Sequence, residues 1–316
     1  MVEKNIEQLW DQLLGFIEAG RVIPIIGPEL LKLDIEGETC FLYTYLVKRL
    51  AKHLQISYEL EDSLSAIAGR YISQGGERDN IYLALTKVMP SMSKIKLPEA
   101  LIKLAEIRSF KLFVTTCFDP LLVHALNEVR YGGKEKTQVL AFSPESNNDL
   151  PAKPEQLEQA TVFHLFGKLS VAPEYAVTDE DVLEFMRALQ SRINADLLFD
   201  ALVCKNLMVI GCPLSDWLAR FFVRIGKKDR LINVNNKIDF LAGDQLQNEA
   251  RLAEFLLYFS KKTKVFPFSS IDFVNELHQR WLALNPQTAE QAMEANLPDK
   301  DSDKMQKGAV FLSYAS

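Results

Sequence analysis

Arg21-Val22-Ile23-Pro24-Ile25-Ile26-Gly27-Pro28-Glu29-Leu30-Leu31 is the stretch that decides how this chain folds. An apolar, β-branched run ends at a glycine, and residues able to open a helix follow. A doubly wound α/β domain begins in this order: a buried strand ends at the sheet's carboxyl edge and a tight turn feeds a helix. Ahead of it Ile6, Leu9, Trp10, Leu13, Leu14 and Ile17 recur at helical spacing, which predicts an amphipathic helix over 5–19 closed by Gly20.

Beyond the stretch, helical spacing predicts helices over 43–54, 63–74 and 80–88. These are more than a crossover requires, so they read as a helical insertion covering one end of the sheet. A short helix at 98–106 leads to a strand at 111–116. Further strands are expected at 137–142, 160–166, 206–211, 237–242 and 263–268, and helices at 121–129, 179–188, 194–204, 214–225, 247–259 and 271–284. Thr178 and Asp181 sit at the N-cap and N3 positions of the helix starting at 179. Residues 143–154, rich in Pro, Asn, Asp and Ser, form a loop. Short apolar strands alternating with helices predict a mostly parallel, Rossmann-like sheet with helices on both faces.

A chain of 316 residues with 48% hydrophobic and 25% charged residues is an ordinary globular composition with room for a large core. The net charge of -6 argues against non-specific binding to nucleic acid or anionic membranes. No apolar run approaches the roughly 20 residues of a membrane span, and no signal peptide is visible. Cys40, Cys117, Cys204 and Cys212 are scattered without a close pair, which predicts free thiols in a reducing, cytoplasmic setting. A zinc site or a disulfide is the alternative.

Residues 1–285 are expected to be one domain, and 286–308, with little to bury, a linker. An apolar strand, 309–316, follows; it either opens a second domain or adds to the main sheet.

Ligands of open α/β sheets sit beyond the carboxyl ends of the strands. Four turns fall there: Gly27-Pro28-Glu29, Thr115-Thr116-Cys117-Phe118-Asp119, His164-Leu165-Phe166-Gly167 and Gly211-Cys212-Pro213-Leu214-Ser215-Asp216. Their order and spacing resemble the sirtuin-like superfamily, particularly the prokaryotic sirtuin-like, NAD-hydrolysing domains of antiphage systems. The resemblance spans roughly residues 15–282. It implies a vestigial cofactor pocket of Gly27, Thr115, Thr116, Asp119, Gly167, Gly211, Ser215 and Asp216. It also marks three departures. Pro28 and Glu29 replace the small residues of the family's first turn, removing an amide and placing a carboxylate where a pyrophosphate would lie, at a cost of about 1–4 kcal/mol. Cys117 stands at the place of the catalytic asparagine, and Phe166 at that of the catalytic histidine.

His164, two residues before Phe166, is a weak substitute base. Two residues of strand set it roughly 6–7 Å back from the edge, against a proton-transfer contact of about 3 Å. A hydrogen-bonded core histidine is the better reading. Cys117 reads as an inert buried thiol rather than a nucleophile, Asp119 and Asp216 as helix caps, and Lys168 as a solvated surface lysine.

Ala309-Val310-Phe311-Leu312-Ser313-Tyr314-Ala315-Ser316 resembles the opening strand of a Toll/interleukin-1 receptor (TIR) domain. Together the resemblances imply a degenerate sirtuin-like domain that regulates or oligomerises a bacterial antiphage defence protein, whose TIR domain consumes NAD. Two alternatives stay open: the sirtuin-like domain is itself an NAD glycohydrolase, or it is an assembly module with a filled pocket. The expected partners are further copies of the chain and NAD or an ADP-ribose-type ligand. No bound cofactor, metal, membrane or nucleic acid is expected.

Overall fold

The computed structural model describes residues 2–145, 148–191, 196–212, 237–244 and 262–286. Helix α1 (Val2–Glu18) precedes β1 (Val22–Ile26), whose five residues are all buried. The expected helix does not follow β1 directly. A single 3-10 turn at Pro28–Leu30 leads instead into a hairpin of β2 (Lys32–Ile35) and β3 (Glu38–Phe41), paired antiparallel from Lys32–Phe41 to Ile35–Glu38. Its turn residues Glu36 and Gly37 have φ of 56° and 86°, as a two-residue hairpin of this twist demands. Only Leu33 and Ile35 of β2 are buried, so the alternation covers four residues and is too short to be read from sequence.

The helical insertion follows as α2 (Leu42–Leu54), α3 (Leu64–Ser73) and α4 (Arg78–Val88), then α5 (Glu99–Glu106). The chain continues through β4 (Leu112–Thr115), α6 (Leu121–Tyr131), β5 (Gln138–Ala141) and β6 (Thr161–His164). It then forms α7 (Asp179–Ser191), α8 (Asp196–Cys204), β7 (Asn206–Ile210), β8 (Asp239–Ala242), β9 (Thr263–Val265) and α9 (Ser270–Leu284). The helices expected at 214–225 and 247–259, and residues 287–316 with nearly all of the expected linker and the terminal strand, lie outside the described residues.

Among the described residues seven strands form one sheet in the order β5-β6-β4-β1-β7-β8-β9, all parallel. The α/β, Rossmann-like expectation holds. Side chains alternate between two cores, as the period of two requires. Val22, Ile26, Phe113, Val162, Met208, Ile210 and Phe240 face α1, α5, α6, α9 and the helical insertion. Ile23, Ile25, Leu112, Val114, Phe163, Leu207 and Val209 face α7 and α8. With both faces covered, the strands are apolar throughout.

The topology sets where a ligand would sit. On one side of β1 lie β4, β6 and the edge strand β5, and the chain then crosses to the other side with β7. The switch point is therefore the boundary between β1 and β7, and the crevice lies beyond their carboxyl ends.

Candidate functional site

At the switch point the two turns meet rather than part. Gly27 donates its amide to the Ile210 carbonyl at 2.9 Å, and Glu29 donates to the Gly211 carbonyl at 3.0 Å. The parallel ladder of β1 and β7 thus continues past both strands. A side chain at residue 27 has no room, because a Cβ there would lie 2.2 Å from the Gly211 oxygen and 2.5 Å from the Cys212 Cα. The amide that could meet an anion is spent on protein. No α-helix N-terminus stands behind it, since the 3-10 turn is a single turn.

The Glu29 carboxylate has a task of its own. Its Oε2 accepts the Asp244 amide at 3.0 Å and the hydroxyl of the fully buried Ser270. Asp244 Oδ1 in turn accepts the Ser270 amide at 2.7 Å. Glu29 therefore clasps the end of β8 and the start of α9 onto the first turn.

Next to it, the β4 turn is tied to β1. The Thr116 amide donates to the Ile26 carbonyl at 3.0 Å, and the Thr115 hydroxyl to the same oxygen at 3.1 Å. The Thr116 hydroxyl lies 3.8 Å from the Cys212 sulfur. Cys117 is buried; burial, and then the neighbouring Asp119 carboxylate, push its thiol well above the ordinary range. Burial likewise pushes the Cys212 thiol up to about 12. Neither is poised as a thiolate.

His164 donates through Nδ1 to the Cys117 carbonyl at 2.8 Å, and burial lowers its pKa to about 4. The ring is neutral at neutral pH and its Nδ1 proton is committed to the backbone. Asp119 Oδ1 accepts the Leu121 amide at 3.1 Å at the head of α6. Its Oδ2 is buried without a hydrogen-bond partner. Burial raises the Asp119 pKa from 3.8 to about 6, and its bonds to backbone amides offset only part of that. Tyr43 accepts the Phe118 amide at 3.1 Å.

β6 ends at His164 rather than at 166, so His164 stands at the strand edge, and Phe166, two residues past it, turns away from this cluster. It packs edge to face with Phe185 of α7, their centroids 6.4 Å apart, in the core on the other face of the sheet. Gly167 has φ of 78°, and the loop it starts carries Tyr175 back over the β4 turn. Four rings then run in contact: Tyr43 to Phe118 at 5.1 Å, Phe118 to Tyr175 at 4.9 Å, and Tyr175 to Tyr82 at 5.0 Å. They fill the space between the β4 turn and the helical insertion.

Of the residues singled out from sequence, Gly27, Thr115, Thr116 and Gly211 meet at the switch point, and Cys117, Asp119 and His164 lie beside them. Phe166 belongs to the opposite face, while Gly167 begins the loop that returns to the crevice. Ser215 and Asp216 lie outside the described residues. Among the described residues no three His, Cys, Asp or Glu side chains converge as a metal site. Sequence reading missed Tyr43, Tyr82 and Tyr175, which carry no motif, and the Glu29–Ser270 contact, which joins residues 241 apart. It found the partner at the far end of the loop only as a cap: Thr178 Oγ1 accepts the Asp181 amide and Asp181 Oδ2 the Thr178 amide, a reciprocal capping box.

A search among curated proteins gives no match to this chain. No helix among the described residues is long and apolar enough to cross a membrane. Residues 111–257, which begin one residue ahead of β4, match the family model described as SIR2-like domain, and the seven-stranded parallel sheet with helices around it is the α/β arrangement that fits such a domain.

Proposed function

We propose that this is a sirtuin-like domain that has kept its sheet and lost its chemistry. It acts as a regulatory or oligomerising part of a bacterial antiphage defence protein. In this reading the TIR domain opened by residues 309–316 consumes NAD, and the sirtuin-like domain controls when copies of it come together.

The observation that carries the reading is the hydrogen bond from Glu29 to Gly211. It leaves the first turn no free amide for a pyrophosphate, with Pro28 donating none and the Glu29 carboxylate beside it. The described residues do not fit an extended dinucleotide. Cys117 and Phe166 offer no base, and His164, whose Nε2 alone is left to accept a proton, is 1% exposed and held neutral by burial.

A second reading, an assembly module whose pocket is filled by its own side chains, is favoured by the Tyr43–Phe118–Tyr175–Tyr82 contacts. Incubating the chain with NAD and following nicotinamide release tests the loss of chemistry; turnover would overturn it. Thermal shift with NAD and with ADP-ribose separates a regulatory domain that senses such a ligand from a filled pocket. A ligand at 100 times its dissociation constant adds about 2.7 kcal/mol to stability. A pocket filled by its own side chains gives no shift with either.

A further inference from the structure

Residues 167–178 form an irregular loop between β6 and α7, and this loop returns the fully buried Tyr175 to the crevice. The loop doubles back onto its own base. A Cβ on Gly167 would lie 2.2 Å from the Glu174 carbonyl oxygen and 2.7 Å from the Tyr175 Cβ. Only glycine tolerates both that approach and a φ of 78°.

The closed arrangement is not fully satisfied. The Tyr175 hydroxyl and Asp119 Oδ2 are both buried with no hydrogen-bond partner. An unpaired buried hydroxyl weakens the arrangement that buries it, and withdrawal of the loop would open the Tyr175 hydroxyl to solvent.

The Leu169 amide donates to the Phe118 carbonyl at 2.8 Å and the Ala176 amide to the Phe166 carbonyl at 2.9 Å, and the exit of the loop is fastened by Asp181. Its carboxylate accepts the Val177 amide at 2.9 Å, the Thr178 amide at 2.7 Å and the Tyr82 hydroxyl at 3.1 Å, and it pairs with the Arg78 guanidinium. Arg78 and Tyr82 belong to α4, so one carboxylate fastens the exit of the loop to the helical insertion. The Asp179 amide adds a bond to Ser65 Oγ of α3 at 3.0 Å. The Asp181 side chain is 2% exposed and that of Arg78 54%, so the fastening is open to solvent from one side. Val171, midway along the loop, is 67% exposed and anchors nothing.

We propose that residues 167–178 are a two-state plug, latched over the β4 turn by Arg78–Asp181, and that its withdrawal uncovers the Phe118 ring. The proposal rests on the reading above that the crevice is filled from within, and it names how that site is regulated.

Amide hydrogen exchange on the full chain tests it, following peptides across 168–178 with peptides from β1 and β7 as internal reference. Arg78→Gln is expected to speed exchange in the plug at least tenfold while β1 and β7 stay unchanged. Tyr175→Phe, which leaves the latch whole and removes an unpaired hydroxyl, is expected to slow it about threefold or more. Plug exchange equal in wild type and Arg78→Gln overturns the proposal, as does plug and β1 exchange rising together. So does faster plug exchange in Tyr175→Phe. Binding of NAD to the wild-type chain would bear on the loss of chemistry alone, because the exchange is read without ligand.

Discussion

The amide of Glu29 and the carbonyl of Gly211 are hydrogen-bonded at 3.0 Å across the boundary between β1 and β7. The crevice of a doubly wound sheet depends on that boundary parting, and here the bond holds it shut. The contact next to it makes the first prediction. Gly27→Ala would put a methyl 2.2 Å from the Gly211 oxygen, against backbone that cannot rotate away. The variant is expected to lose about 1–3 kcal/mol or more of unfolding free energy in urea. An unchanged midpoint would mean the two turns are free to separate.

Glu29 invites a simpler account, in which its carboxylate merely repels phosphate. The contacts to Asp244 and Ser270 say otherwise. Glu29→Ala is expected to destabilise by about 1–3 kcal/mol, since the Asp244 amide loses its acceptor and the Ser270 hydroxyl keeps only Asp244 Oδ1, and to gain no affinity for NAD. Calorimetry showing micromolar NAD binding with stability intact would establish the carboxylate as the sole obstacle.

Asp119 sets a pH dependence of known sign. Its pKa is raised from 3.8 to about 6 in the folded chain, so the folded state binds the proton more tightly than the unfolded one. This group therefore lowers stability as pH rises from about 4 to about 6 and adds no further slope above that. Asp119→Asn removes the slope while keeping an oxygen for the Leu121 amide. Relative to wild type, the variant should be on the order of 2–3 kcal/mol better off at pH 7.5 than at pH 4. Urea unfolding at the two pH values measures the difference, and a constant offset between the proteins contradicts it.

Thiol reactivity separates an inert Cys117 from a nucleophile. Cys204 is exposed, Cys40 partly buried, and Cys117 and Cys212 buried. Maleimide labelling at pH 8 with peptide mapping should modify Cys204 first, and Cys117 and Cys212 only on unfolding. Native-state labelling of Cys117 at the rate of Cys204 would revive the nucleophile reading.

Arg130 supports the sheet from below. Its guanidinium donates to the carbonyls of Ala105, Ile107 and Phe110 at 2.7–2.8 Å and lies 5.2 Å from the centre of the Phe113 ring. Burial lowers its pKa to about 10, which leaves it charged at neutral pH. Arg130→Met strands these carbonyls at the end of α5 and is expected to cost about 3 kcal/mol or more. Arg130→Lys should recover only part, because an ammonium cannot reach all three acceptors as a planar fork does. Full recovery by lysine would show that charge alone matters.

The strands were legible because each is a short apolar run bounded by turns, and the helices because Leu, Ile and Trp recur at helical spacing. The β2–β3 hairpin was not, since its alternation is only Leu33 and Ile35 and its turn is Glu36-Gly37 rather than a commoner pair. The departures at Pro28, Glu29, Cys117 and Phe166 could be seen one by one in the sequence. Their outcome could not. That Glu29 reaches Ser270, or that Tyr175 rests on Phe118, depends on how distant segments converge. Burial is also what decides that Asp119 and His164 move their pKa values in opposite directions.

The bonds that carry the β1–β7 ladder beyond its strands have a mechanical consequence. Two halves of a sheet can rock against each other only if their shared seam is able to gape, and this seam is stitched past its end by Gly27 and Glu29. The seven strands then behave as one stiff plate. Any allosteric message across this domain has to travel through the helical layers lying on the plate, not through bending of the plate itself.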